Sequence, residues 1–152
     1  MIQSRLNPNF VEMLSALSDA GADYLIIGGH AFAAHHQPRA TKDLDIWVRP
    51  SADNAARVRR AIDQFGMPVD KISVDDLAQT GLVLQFGFPP QRIDIVTSIS
   101  GVTFDEAWLR RITVNIEGRQ HPVIGRDDLI RNKRAVGRPQ DLVDVDALTK
   151  KR

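Results

Sequence analysis

The chain has no cysteine, so a disulfide framework, a thiolate zinc site and a cysteine nucleophile are all excluded. Any metal it binds must use oxygen or imidazole ligands. It also lacks a long apolar run. Met1 to Asn9 does not read as a signal peptide, and the longest apolar stretches are too short to span a bilayer. A cytoplasmic location, away from membranes, is therefore expected. Charge of one sign is missing as well: the formal net charge is +1, which gives no strong field and does not announce a nucleic-acid binder. The local basic clusters, Arg57, Arg59 and Arg60 and then Arg126 to Arg138, read as solvated helix faces. There is no internal repeat, linker, Walker-type loop or His-Glu-x-x-His motif, and His35 and His36 lack partners at metal-ligand spacing. ATPase and zinc-hydrolase chemistry are disfavoured accordingly.

What is present is enough apolar residue for a core: 43% of 152 positions, in the size range of one domain. One domain over residues 1–152 is expected, with a core over about 22–125 and closing helices over about 126–149. Phe10, Leu14 and Leu17 recur at helical spacing between Asn7 and Ala20, with Gly21 just past the end. Tyr24 to Ile27 reads as a strand, Gly28-Gly29 as a tight turn, and His30 to His36 as a short helix. Lys42 to Val48 alternates Asp43, Asp45 and Trp47 with Leu44, Ile46 and Val48, the period of a strand with one face in the core. A helix follows, capped by Ser51 or Asp53 and closed by Gly66, with Val58, Ile62 and Phe65 as its stripe. Leu82 to Phe88 and Arg92 to Thr97 predict adjacent strands around Pro89-Pro90. A short helix over Phe104 to Leu109 and a hairpin turning at Gly118-Arg119 come next. Asp127 to Ala135 and Pro139 to Leu148 predict two last helices, broken at Gly137. Helices around a sheet with at least one hairpin give a mixed α/β (α+β) domain.

Two places stand out chemically. In Leu44-Asp45-Ile46 and Ile93-Asp94-Ile95 a carboxylate lies inside an apolar, strand-forming run, and Asp43 shares the face of Asp45. If these strands are neighbours, cross-strand side chains come within about 5 Å and three carboxylates converge. Three anions repel unless a cation joins them, and hard oxygen ligands suit Mg²⁺ or Mn²⁺. Mg²⁺ keeps positions open for water and phosphate oxygens, so a phosphate-bearing substrate is implied. The plainer alternative places the same acids on a solvated sheet face. Gly28-Gly29, between a strand and a helix, aims backbone N–H groups and a positive helix end at an anion.

Together Ile26-Ile27-Gly28-Gly29, Asp43-Leu44-Asp45 and Ile93-Asp94-Ile95 resemble the signature of the DNA polymerase beta-like nucleotidyltransferase superfamily, over roughly residues 24–97. The resemblance implies a single-domain mixed sheet flanked by helices. It further implies a Mg²⁺-dependent transfer of a nucleoside monophosphate from a triphosphate such as ATP to a hydroxyl acceptor. Asp43, Asp45 and Asp94 would be both catalytic and metal-binding, with Asp94 helping to deprotonate the acceptor. Gly28, Gly29 and His30 would meet the nucleotide from the helix start. Arg39, Thr41 and Lys42 would neutralise triphosphate charge, although His30 also fits a simple helix-start residue and the other three ordinary residues leading into a strand.

Lys133 to Asp144 is similar to the closing motif of abortive-infection toxin-type nucleotidyltransferases, which implies a place for Lys133 near the phosphates. The plainer reading is a solvated lysine, with Asp141 and Asp144 as helix-start acids. Two departures matter. Gly29 stands where the family often has Ser, and a large substrate-binding domain is expected to be absent. Acceptor recognition, of RNA, protein or a small molecule, would then come from loops, a second copy or an antitoxin-like partner. A catalytically silent nucleotide- or metal-binding module, or one acting through protein contacts, is the alternative function.

Overall fold

In a computed structural model, residues 6–37 and 43–150 are described. The first helix, α1 (Pro8–Asp19), begins where Asn7 accepts a hydrogen bond from Asn9 N at 2.8 Å, and it buries Phe10, Met13, Leu14 and Leu17. It packs on α3 (Ala52–Phe65). Ser51 caps α3 by accepting from Asn54 N at 3.3 Å, and Gly66 ends it in the left-handed conformation. Arg59, expected on a solvated face, donates instead to Ile72 O at 2.7 Å and Val69 O at 3.0 Å. It fastens the segment that leads to the one-turn helix α4 (Val74–Leu77).

Six strands form one sheet among the described residues, in the order β3-β4-β2-β1-β6-β5. Strand β1 (Tyr24–Ile27) lies antiparallel to β2 (Leu44–Val48) and parallel to β6 (Arg119–Val123). On its other side β2 runs parallel to β4 (Ile93–Val96), which pairs antiparallel with β3 (Val83–Phe86). Strands β5 (Ile112–Ile116) and β6 form the expected hairpin, but it turns at Glu117-Gly118 rather than at Gly118-Arg119. Both turn residues have positive φ, 49° and 88°, the backbone that matches the twist of two-residue hairpins. The arrangement is the mixed, helix-flanked sheet that the sequence pattern predicts.

Alternation sets the core. Leu44, Ile46 and Val48, with Ile93 and Ile95 beside them, are buried, while Asp45 and Asp94 point to the opposite face. That second face is not fully solvated, contrary to the one-sided strand expected: Trp47 is also buried, against Phe104 of α5 (Phe104–Leu109) at 5.1 Å between ring centroids. The Tyr24 hydroxyl and His121 Nδ1 meet at 2.5 Å and join β1 to β6. Helix α2 (Gly28–His35) begins at the two glycines themselves, which were expected to form a turn before it, and packs on β1, β2 and α6 (Arg126–Val136). The last helix, α7 (Pro139–Thr149), returns along α6. Among the described residues no helix is long and apolar enough to cross a membrane.

Candidate active site

The parallel pairing of β2 and β4 decides where the acids go. Its register sets Asp45 directly beside Asp94, and direct partners in a ladder project to the same side. Asp43, two residues before Asp45, shares that side. Leu44 N donates to Arg92 O at 2.9 Å and Arg92 N to Asp43 Oδ1 at 3.0 Å, so the register is held next to the acids themselves.

Gly28 forms the floor. Its φ is +68°, a conformation that penalises side chains, and a Cβ built there would overlap Asp45 Oδ2 and lie 3.1 Å from Asp45 Cβ. The first turn of α2, whose cap residue Ile27 contributes no side-chain hydrogen bond, therefore begins against the Asp45 carboxylate. Close approach of backbone to an anionic group is the use that a glycine at a helix start serves.

Charge is not balanced here. The Asp45 carboxyl is pushed up from 3.8 to about 6, chiefly by burial, then by the negative charges of Asp94 and Asp43, with Arg92 opposing and a hydrogen bond to Asp94 adding to the rise. Arg92 is the cation in the cluster. Its Nε donates to Asp94 Oδ1 at 2.8 Å and its Nη2 to Asp94 Oδ2 at 3.2 Å, while Nη2 stands 3.7 Å from Asp43 Oδ2. Among the described residues no three carboxylates or imidazoles are grouped so as to hold a metal ion as they stand. Asp43 and Asp94 lean toward Arg92 instead. The donor set nonetheless suits a hard divalent cation: three carboxylates on one face, a carboxyl raised first by burial and then by its two acidic neighbours, and a side-chain-free backbone floor.

The remaining predicted residues divide. Gly28 and Gly29 open α2 beside Asp45. His30, in the same turn, meets Phe10 edge-on at 5.9 Å, is kept below the usual histidine pKa by burial, and lines a cavity of about 300 Å³ with Ile26, Ala33 and Leu44. None of the three acids lines that cavity. Arg39, Thr41 and Lys42 lie outside the described residues. Lys133 is buried rather than solvated: Nζ stands 2.7 Å from Asp144 Oδ2 and 3.7 Å from Asp141 Oδ1, with the Phe32 ring 5.9 Å away. Asp141 and Asp144 are correspondingly buried counter-ions; Asp141 is also the helix-start acid expected, in the first turn of α7 with a bond from Arg138 N, whereas Asp144 lies further along the helix. The Lys133 ammonium is engaged by these two carboxylates.

Two residues escaped the sequence reading. Arg92 has the same strand parity as Asp94, and that spacing is the signal that could have found it. Arg138 has its Nε on Asp141 Oδ2 at 2.7 Å, and Asp45 is among the charges that raise its pKa, after the Asp141 hydrogen bond and charge. A guanidinium thus stands within electrostatic reach of the acids, with its side chain 74% exposed.

A mixed sheet presents two acids across a parallel ladder, a third beside them, and a glycine-started helix at their foot. The chain has the nucleotidyltransferase fold. It is similar to a lincosamide antibiotic adenylyltransferase solved with lincomycin bound, at 13% identity over 97% of this chain and 99% of that one, with a TM-score of 0.58. It is also similar to a protein from Thermotoga maritima provisionally assigned as a nucleotidyltransferase, at 14% identity, 95% and 94% coverage and a TM-score of 0.61. An antigenic nucleotidyltransferase-like protein from Paracoccidioides brasiliensis matches at 16% identity, 92% and 74% coverage and a TM-score of 0.50. At these identities the likeness is one of fold. No protein-family profile matches the chain, and no curated protein matches it in sequence.

Proposed function

We propose that the protein transfers a nucleoside monophosphate from a nucleoside triphosphate to a hydroxyl acceptor, with Asp43, Asp45 and Asp94 holding Mg²⁺ or Mn²⁺. The observation that carries this reading is the Asp45–Asp94 pair, set side by side by the β2–β4 register above the Gly28 floor. A divalent ion, when bound, supplies the positive charge that in-line displacement at a phosphorus requires. The chain's own groups account for the rest. The first backbone N–H groups of α2 bind phosphate oxygens, and the exposed Arg138 guanidinium, aimed by Asp141, adds a two-pronged donor. Asp94 takes the acceptor proton. Lys133 acts at one remove: with Asp144 it fixes α7 against α6 and so fixes Arg138.

The acceptor is open to RNA, protein or a small alcohol, and a toxin-type role rests on the closing motif alone. The test incubates the protein with labelled triphosphates, Mg²⁺ and total cellular RNA or metabolites, and looks for labelled product and released pyrophosphate. Product that disappears in Asp94→Asn supports the reading. Triphosphate binding without pyrophosphate release would leave a nucleotide-binding module, and growth arrest on expression, reversed by Asp45→Ala, would mark a toxin.

A further inference from the structure

Arg92 is in an unusual place for a cation. It precedes β4 by one residue and Asp94 by two, so it projects to the same side of the strand as the carboxylate it grips. The grip is two-pronged, at 2.8 and 3.2 Å, and the same Nη2 reaches toward Asp43 at 3.7 Å. The side chain is only 28% exposed, which fixes a positive charge among three carboxylates. The backbone contributes separately, through Arg92 N to Asp43 Oδ1 at 3.0 Å, a contact that any residue at this position would keep.

We infer that Arg92 is the built-in counter-ion of the acidic site: its guanidinium holds Asp43 and Asp94 against mutual repulsion in the free protein and competes with a divalent ion for those carboxylates. This rests on the metal-binding reading of the three acids. Three features require it. The acids outnumber the cation, so the site attracts further positive charge. Asp94 has both carboxylate oxygens engaged by Arg92, so an ion ligated there competes with the guanidinium for the same negative charge. Among the described residues no three acids are grouped to hold an ion in the arrangement that contains this pair. Metal uptake therefore weakens the Arg92 grip on Asp94 and frees the guanidinium, while the backbone bond to Asp43 keeps β2 and β4 in register. The released guanidinium matches phosphate geometry, so the group displaced by the metal becomes a partner for the triphosphate. By linkage, triphosphate then tightens metal binding and metal tightens triphosphate binding by the same factor.

The competition is tested with Mn²⁺ alone, by calorimetry and by the loss of free-ion paramagnetic signal, on the wild type, Arg92→Gln and Arg92→Lys. Removing a unit charge a few ångströms from the ion should tighten Mn²⁺ binding about tenfold or more in Arg92→Gln. Arg92→Lys, which cannot span both oxygens of Asp94, should fall between. In EDTA, Arg92→Gln should melt below the wild type, and saturating Mn²⁺ should close that gap. Folded Arg92→Gln that binds Mn²⁺ no tighter than the wild type would overturn the inference and leave the metal site standing. Should Arg92→Gln not fold, Arg92→Lys decides, and unchanged affinity there overturns it equally. If neither the wild type nor the variants take up Mn²⁺, the metal reading falls and takes this one with it.

Discussion

Two of the protein's clusters of carboxylates and cations are built on opposite charge balances. At the β2–β4 junction, Asp43, Asp45 and Asp94 face one arginine, Arg92. Between α6 and α7, Asp141 and Asp144 face Lys133 and Arg138. Among the described residues three acids to one base leave the first cluster short of positive charge, and the Asp45 carboxyl rises to about 6, first by burial and then by the charges of Asp94 and Asp43. Two to two satisfies the second, and the Asp141 carboxyl is held below its ordinary range, first by its hydrogen bond to Arg138. Satisfied charge rigidifies a fold, whereas uncompensated charge is a binding capacity kept in reserve.

Substitutions should therefore act in opposite directions at the two places. The largest effect is expected from Asp94→Asn, which should lower nucleotidyl transfer by about a thousandfold or more while thermal unfolding in EDTA shows a fold at least as stable as the wild type. In the balanced cluster, Lys133→Met takes the ammonium from the buried Asp144 carboxylate, while Asp141 keeps Arg138, and should cost about 3–5 kcal/mol in denaturant unfolding. A loss below about 1 kcal/mol would mean that the pair is far more hydrated than its burial indicates.

A third contrast is in pH. The raised Asp45 pKa means that the folded chain holds this proton more tightly than the unfolded chain, so its contribution is complete below about pH 4 and is lost as pH rises through about 6. Metal-free protein should lose at most about 3 kcal/mol over that window, and Asp45→Asn should remove that part of the slope. The smallest expected change is Gly28→Ala, at about 1–2 kcal/mol for the left-handed backbone, measured by melting. It should be accompanied by weaker Mn²⁺ binding as the new methyl displaces the Asp45 carboxylate.

Local pattern made much of this legible. Apolar periodicity and caps located α1, α3, α5, α6 and α7 to within about two residues, and the acid inside each strand pointed to the site. Periodicity carries no information on pairing, however. That β2 and β4 lie parallel and adjacent, with Asp45 beside Asp94, is a long-range fact that the sequence pattern could only pose as a condition. The same limit hid the burial of Asp141 and Asp144. Acids on a helix look alike in sequence whether they face water or a lysine of the preceding helix, and only the return of α7 along α6 brings Lys133 to them. Gly28 was legible as a turn residue, but its role as the floor under Asp45 required knowing what lay opposite.

The return of α7 also sets an order of assembly. A chain made from its N-terminus completes every strand of the sheet, and all three acids of the β2–β4 cluster, before residue 139 exists. Until then Lys133 has neither of its carboxylate partners and Arg138 has no Asp141 to aim it. The acidic face is thus assembled early, whereas its outer cation is aimed only once α7 has closed against α6.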